Sequence, residues 1–410
     1  MPTSTHAHRT AAPLVAGRTG APVLARRTAA AALGLAAALL PLAATSATAT
    51  TGATTDAVAK PRELTLPAPT GAHRIGTRSV RLVDTSRRDP LVKAKPYREL
   101  MVSLWYPAAD SPDPLAPHMA PKAAADWDTR SAPGMGIRPG TLDWSGTRTH
   151  ARRNAPFDPT AGRLPVVLFT PGDGGPRTLG TALVEDLASR GYLVVTVDHT
   201  YEADQVEFPG GRVERAVPLP DKLTPAVIAK LLRSHARIRL ADLRFVLDRL
   251  PAVEGLSAAA DLSKVGVLGQ SIGGSVAAHL TRADDRVDAA VNLDGSYVGP
   301  VARTGARKPF LQFAAQDHTR AGDPTWKTFW SATPGWKREV RLAGAAHGSF
   351  TDLQALVPEL TDFVGTIDPS HSVAAQRAYL GAFFDLHLKG RTTTLFDGPD
   401  PRYPEATVSR

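Results

Sequence analysis

The chain has 410 residues, 43% of them hydrophobic and 21% charged, which is ordinary globular composition with length enough for one large α/β domain or two smaller ones. It contains no cysteine, which excludes disulfides, thiolate catalysis and Cys-ligated zinc. The formal net charge is +9, but Arg9, Arg18, Arg26 and Arg27 lie in a first segment, residues 1–49, that has no acidic residue. The net five positive charges left are scattered among acids without a long run, which argues against a nucleic-acid partner. Such a surface permits, without indicating, a transient contact with anionic lipid surfaces.

Residues 1–49 read as an export signal. Arg26-Arg27 precede an apolar stretch, Ala29 to Leu40, that is too short to span a bilayer comfortably, and Ala47-Thr48-Ala49 offers a small-x-small cleavage site. The paired arginines and long polar lead suggest the twin-arginine route; an ordinary secretory signal is the other reading. Residues 50–74, rich in Thr, Ala and Pro, are expected to form a flexible leader.

A catalytic domain is expected over 75–390. Arg78–Val83 and Leu100–Tyr106 alternate as strands and suit antiparallel pairing at the start of a mixed sheet. Residues 108–163 are a Pro/Gly-punctuated insertion carrying Trp127 and Trp144, either a lid or a surface excursion. Strands follow at Leu164–Thr170 and Tyr192–Asp198, at Val265–Leu268, and at Val287–Leu293, Pro309–Ala314 and Lys337–Leu342. Helices are expected over Thr178–Arg190, Leu231–Leu250, from Ser275 onward, and over Ser372–Lys389. Residues 391–410 are left as a C-terminal tail. Strands and helices in alternation mean an α/β fold with a mostly parallel, eight-stranded sheet covered on both faces, whose ligands bind at the carboxyl ends of the strands.

Gly269-Gln270-Ser271-Ile272-Gly273 lies between a strand and a helix. A G-x-S-x-G in that setting is a nucleophile elbow, a turn so sharp that its serine stands above the sheet edge. Ser271 is therefore the candidate nucleophile. A serine hydroxyl needs a base, and the base an orienting acid. His347, in Gly344-Ala345-Ala346-His347-Gly348 after the eighth strand, is the best-placed base; His199, His235, His279, His318 and His387 are less well placed. Two residues can supply the acid, Asp294 after the sixth strand and Asp317 after the seventh, and both give the order Ser, Asp, His. Ile272 N–H, next to the nucleophile, is one candidate donor to a developing oxyanion. His199 and Tyr201, after the fourth strand, are candidates for the pocket lining. No phosphate loop, dinucleotide fingerprint or metal-ligand motif is present, so no cofactor and no metal are expected.

The residues Ser103-Leu104-Trp105-Tyr106-Pro107, Phe169-Thr170-Pro171-Gly172, Val197-Asp198-His199, Gly269–Gly274, Leu293-Asp294 and Ala346–Phe350 carry a resemblance. From about Gly71 to Lys389 the chain resembles the α/β-hydrolase superfamily, and within it the plasma-type (group VII) platelet-activating-factor acetylhydrolases with their bacterial lipase and esterase relatives. The resemblance implies Asp294 as the acid, whereas related cutinases would favour Asp317. It also implies Asp173 N–H as the second oxyanion donor. Gln270 and Pro171 stand where the family usually has histidine, departures that bear on pocket shape and leave the triad intact. The implied activity is that of a secreted serine esterase or lipase acting on short-acyl lipid esters. A broader lipase or cutinase-like polyester hydrolase is the alternative, and a non-catalytic binding protein on the same fold is the reading from a different class. Oligomeric state is not legible. Protein recovered from culture medium is expected to begin near Thr50 on N-terminal sequencing; an intact Met1 would overturn the export reading.

Overall fold

The computed structural model describes residues 60–410, so the expected export signal lies outside the described residues. The strands are β1 (Ile75–Asp84), β2 (Arg98–Pro107), β3 (Leu115–Pro117), β4 (Arg148–Arg153), β5 (Leu164–Thr170), β6 (Leu193–Asp198), β7 (Gln205–Phe208), β8 (Arg212–Arg215), β9 (Ala260–Gln270), β10 (Val287–Leu293), β11 (Phe310–Ala314), β12 (Lys337–Leu342) and β13 (Ala406–Ser409). Eleven of them form one sheet in the order β13-β12-β11-β10-β9-β5-β6-β2-β1-β4-β3, and β7 pairs with β8 in a separate hairpin. The ladder is parallel from β12 across to β6. It turns antiparallel at β2 and β1 on one side and at β13 on the other.

The fold class is the expected α/β one, but the sheet is wider than the eight strands read from the sequence. The additional strands come from segments without an apolar run. In β4, Arg-Thr-His-Ala-Arg-Arg buries only Thr149 and Ala151, and β3 has three residues. Four residues of the expected tail form β13 against β12. Each adds short edge pairing, which costs few buried side chains and so leaves little hydrophobic signal.

Five longer helices cover the sheet: α1 (Thr181–Ser189), α2 (Pro225–Arg249), α3 (Ile272–Ala283), α4 (Pro324–Ala332) and α5 (Pro369–Leu388). Helix α2 starts at Thr224, whose hydroxyl accepts from Val227 N–H, with Pro225 in the first turn, the pairing favoured at helix N-termini. Its Leu232, Leu243, Val246 and Leu247 pack on one face of the sheet with residues of α3. On the other face, Leu183, Val184 and Leu187 of α1 join Tyr379, Leu380, Phe383 and Phe384 of α5. With both faces covered, β5, β6 and the end of β9 are buried throughout.

Residues 60–74, expected as part of a loose leader, are packed down. Leu64 and Leu66 are buried with Met119, Trp127, Trp144 and Leu353. Thr70 gives two hydrogen bonds to Asp186 Oδ1, at 2.8 and 2.7 Å, and Arg377 donates to the carbonyls of Pro67 and Ala68. The insertion 108–163 has a core of its own in this cluster, where Trp127 and Trp144 meet edge-on at 5.9 Å. Its tryptophans thus anchor it to the domain.

The elbow is built by absent side chains. A Cβ on Gly269 would lie 2.1 Å from Gly273 C, one on Gly273 2.2 Å from Thr170 O, and one on Gly274 1.8 Å from Asn292 Oδ1. Because the atoms met at Gly273 are backbone and cannot swing aside, Gly273→Ala is expected to destabilise the fold by about 1–3 kcal/mol. The measurement is the urea midpoint; an unchanged midpoint would refute the packing argument.

Candidate active site

Ser271 sits at the junction of β9 and α3 with φ 56 and ψ −125. That region is closed to an L-residue unless the surroundings impose it, at a cost of about 1–3 kcal/mol. Three contacts impose it here: Ser271 N–H donates to Leu293 O at 2.9 Å, Gly274 N–H donates to Ser271 O at 2.9 Å, and Gly295 lies so close that a Cβ there would be 1.8 Å from Ser271 O. Asp294, at the end of β10, is also left-handed, with φ 59. Its turn is closed by Asn292, which accepts from Gly295 N–H at 2.8 Å and donates to Gly295 O at 2.7 Å.

His347 Nδ1–H donates to Asp294 Oδ2 at 2.7 Å. This bond assigns the proton to Nδ1 and leaves Nε2 with its lone pair. Nε2 is 3.4 Å from Nε2 of Gln270, the residue immediately before Ser271, so the imidazole faces the elbow. The loop carrying it is tied down by Ser349, whose hydroxyl donates to Val364 O and accepts from Ala346 N–H at 3.0 Å. Asp317 is exposed. Of the two acids expected from the sequence, the structure brings Asp294 to His347.

Asp294 is only 2% exposed. Burial alone would raise its carboxyl, but hydrogen bonds from His318 and His347, together with their charge, hold it well below the usual range. His318 Nδ1 is 2.9 Å from Asp294 Oδ1, and His318 Nε2 is 3.0 Å from Asp323 Oδ2. Sequence reasoning passed over this second histidine. The available signal was its position four residues after β11 ends at Ala314, beside the strand that Asp294 follows. For His318, burial works against the charged form, yet the bonds to Asp294 and Asp323 raise it to about 9.

Ile272 is the first residue of α3, so its N–H has no acceptor within the helix. Gly172, opposite, lies where a Cβ would be 3.3 Å from Ser271 Cβ, which sets the 171–173 loop over the serine. That loop is held from behind by α2: Arg239 donates to the carbonyls of Pro171 and Gly172. The Asp173 side chain turns to His235, with Oδ1 2.6 Å from Nδ1. Burial pushes the Asp173 carboxyl up, but His235 and the Arg239 charge bring it below its ordinary value.

His199 and Tyr201, expected as pocket lining, are placed elsewhere. His199 is 1% exposed, with Nδ1 3.0 Å from Asp242 and Nε2 2.9 Å from the Thr170 hydroxyl. Both nitrogens are occupied, which leaves none for substrate. Burial, followed by the nearby Arg239 charge, lowers it to about 4, so it is neutral at pH 7 and clamps β5 to α2. Tyr201 is buried beside Lys95 and Glu214.

Asp173, Glu202 and His235 bring potential metal ligands within 4.8 Å of one another. Arg239 Nε lies 2.8 Å from Glu202 Oε2 and its Nη2 3.8 Å from Asp173 Oδ1. A fixed positive charge in that space disfavours a cation, and the cluster reads as an ion-pair network supporting the 171–173 loop.

Residues 60–207 match the family model for platelet-activating factor acetylhydrolase, isoform II. A protein of Arthroderma benhamiae named as a probable 1-alkyl-2-acetylglycerophosphocholine esterase is 28% identical over 84% of this chain and 94% of its own length. The platelet-activating factor acetylhydrolase of Gallus gallus is 22% identical over 63% of this chain and 71% of its own. Among solved structures, the ferulic acid esterase of Streptomyces cinnamoneus is 38% identical, with a TM-score of 0.72, and the match covers 85% of this chain and 99% of that one. The chain belongs to the platelet-activating-factor acetylhydrolase family of α/β-hydrolases, with its bacterial lipase and esterase relatives. It is a carboxylic-ester hydrolase.

The titration of the His318 pair makes a stability prediction. A histidine raised in the folded state to about 9 from an ordinary 6.5 adds stability that is complete below about pH 6.5 and is lost as pH climbs through 9. Asp323, which burial would raise but His318 and Ser296 lower to about 2, adds stability above about pH 4 that is lost on acidification towards 2. The thermal midpoint of the wild type is expected to fall between pH 6.5 and 9, and to fall less in His318→Asn. Equal slopes for the two proteins would refute the assignment.

Proposed function

We propose that the enzyme is an exported serine esterase in which Ser271 attacks the ester carbonyl, His347 moves the proton and Asp294 orients His347. The observation that carries this reading is the 2.7 Å bond from His347 Nδ1 to Asp294 Oδ2, in an imidazole whose Nε2 lies 3.4 Å from the side chain of Gln270, the residue immediately before Ser271. As the serine oxygen bonds to the carbonyl carbon, His347 Nε2 takes its proton. Backbone N–H groups of Ile272 and Asp173 receive the oxyanion, and His347 then protonates the departing alcohol. Water, deprotonated by the same nitrogen, releases the acid from Ser271. Asp294 stays ionised throughout, because its position between two histidines favours the charged form.

The substrate class is a small ester with a short acyl group. Kinship with proteins named for 1-alkyl-2-acetylglycerophosphocholine and for platelet-activating factor supports an acetyl ester on a lipid-like alcohol. A second reading, a hydroxycinnamoyl ester, is favoured by the 38% identity to a ferulic acid esterase. Both share the acyl-enzyme chemistry and differ in which side of the ester the pocket must hold. Export rests on the arginine-led apolar segment before residue 49.

Ser271→Ala is expected to cut p-nitrophenyl acetate turnover by roughly 10⁴-fold or more, and Asp294→Asn by about 10⁴-fold, while Asp317→Asn stays within about twofold of wild type. Full activity in Ser271→Ala would remove the serine mechanism, and a large loss in Asp317→Asn would reassign the acid. Comparison of kcat/KM on an acetyl phospholipid, longer-acyl homologues and methyl ferulate decides between the two substrate readings.

A further inference from the structure

The triad carboxylate is shared. We infer that His318 is a positioning residue of the esterase, an imidazolium held between Asp294 and Asp323 that occupies one oxygen of Asp294 and thereby moderates its grip on the His347 proton. The inference rests on the triad reading above and adds a member to it.

The geometry of the two nitrogens is the first ground. His318 Nδ1 faces Asp294 Oδ1 at 2.9 Å and Nε2 faces Asp323 Oδ2 at 3.0 Å. A neutral imidazole has one N–H, so one of these contacts would set a lone pair against a carboxylate; the protonated ring donates to both. The oxygens of Asp294 are divided, with Oδ2 receiving His347 and Oδ1 receiving His318 and, at 2.8 Å, Ala315 N–H.

The second ground is how firmly the ring is built in. It stacks on Trp326 at 3.8 Å and 23°, and the Trp326 indole N–H donates to Gly295 O at 2.7 Å, in the turn that carries Asp294. Asp323 caps α4 by accepting from Thr325 and Trp326 N–H and also takes the Ser296 hydroxyl at 2.6 Å. Three elements, the β10 and β11 ends and the start of α4, therefore meet at this imidazole.

Charge is the third ground. The groups facing His318 are Asp294 from the end of β10 and Asp323 from the α4 cap, with His347 beyond Asp294 on the β12 loop. On its own loop, Asp317 is exposed and Arg320 turns away to Glu339 at 3.2 Å. Two carboxylates and one imidazolium leave the resting cluster with one negative charge, which the proton arriving on His347 neutralises. Without His318 two negative charges would face that proton. A carboxylate relieved of half its charge holds the imidazolium less tightly, and the proton is then easier to pass on to the leaving alcohol.

The test is the pH profile of kcat/KM on p-nitrophenyl acetate. In His318→Asn the acid limb is expected to move up by roughly 0.5–1 unit, because Asp294 regains its full charge. In Asp323→Asn, where asparagine can still cap α4, a negative charge is lost and the limb is expected to move down. Damage to packing would lower kcat in both variants without displacing the limb in opposite directions. An acid limb unmoved in His318→Asn, or moved the same way in both variants, overturns the inference. Should either variant fail to fold, nitrogen NMR of histidine-labelled Ser271→Ala enzyme decides: two N–H protons on His318 at pH 7.5 support the inference, and one overturns it. Turnover surviving in Ser271→Ala would instead sink the triad reading.

Discussion

The structure depends on one backbone conformation, the left-handed turn at Ser271. Nothing local favours φ 56 with ψ −125 in a serine. It persists because α3 is packed closely against its surroundings, and that packing is open only to glycine: a Cβ on Gly269 would meet Gly273 of α3, one on Gly273 the Thr170 carbonyl at the end of β5, and one on Gly274 Asn292 of β10. Gly295, on the neighbouring β10 turn, presses against the Ser271 carbonyl for the same reason. The strain is offset by the parallel ladder on both sides of β9, where seven Cα pairs join it to β5 and six join it to β10. A central strand held from both edges is the place in a sheet best able to keep a strained residue at its end.

Around that point the loops are fixed by charge buried behind them. Arg239, fully buried, ties the 171–173 loop to α2 and to Glu202. Arg98, also fully buried, links Asp89, Asp242 and the Thr200 carbonyl. Asp242 in turn bonds His199, which bonds Thr170 at the head of that same loop. Such networks add little net stability, because desolvation cancels most of the attraction. Their effect is directional: each arginine has a fixed fork of donors, so the carbonyls it holds have one permitted arrangement. The result is a loop whose Pro171 and Gly172 carbonyls are held in place from behind.

The edges of the sheet are treated differently from its centre. At one end β4 and β3 are short and basic or proline-bearing, and at the other β13 covers β12 with four residues. Segments that look loose in composition, residues 60–74 and the 108–163 insertion, pack together into a cluster against Leu353, Leu356 and Val357, which follow the His347 loop. Packing that begins outside the core sheet therefore extends to the chain just beyond the histidine.

The sequence by itself determined the α/β class and the central strands along the chain, and it singled out the serine at the elbow and the histidine after β12 as candidates. Each of these is written locally, as an apolar run, a glycine spacing or a loop composition, and local patterns survive without coordinates. It also narrowed the acid to two residues and went no further, since Asp294 and Asp317 both end neighbouring strands. Only the tertiary structure distinguishes them, because the difference lies in which carboxylate points inward: Asp294, at a positive φ, is buried and bonded to His347, while Asp317 stays in solvent. The same holds for His199, which looked available in sequence and is consumed by Asp242, 43 residues away, and for His318, whose partner Asp294 lies 24 residues away. Partners that are far apart along the chain leave no periodic trace, and their charge states follow from burial that no composition records.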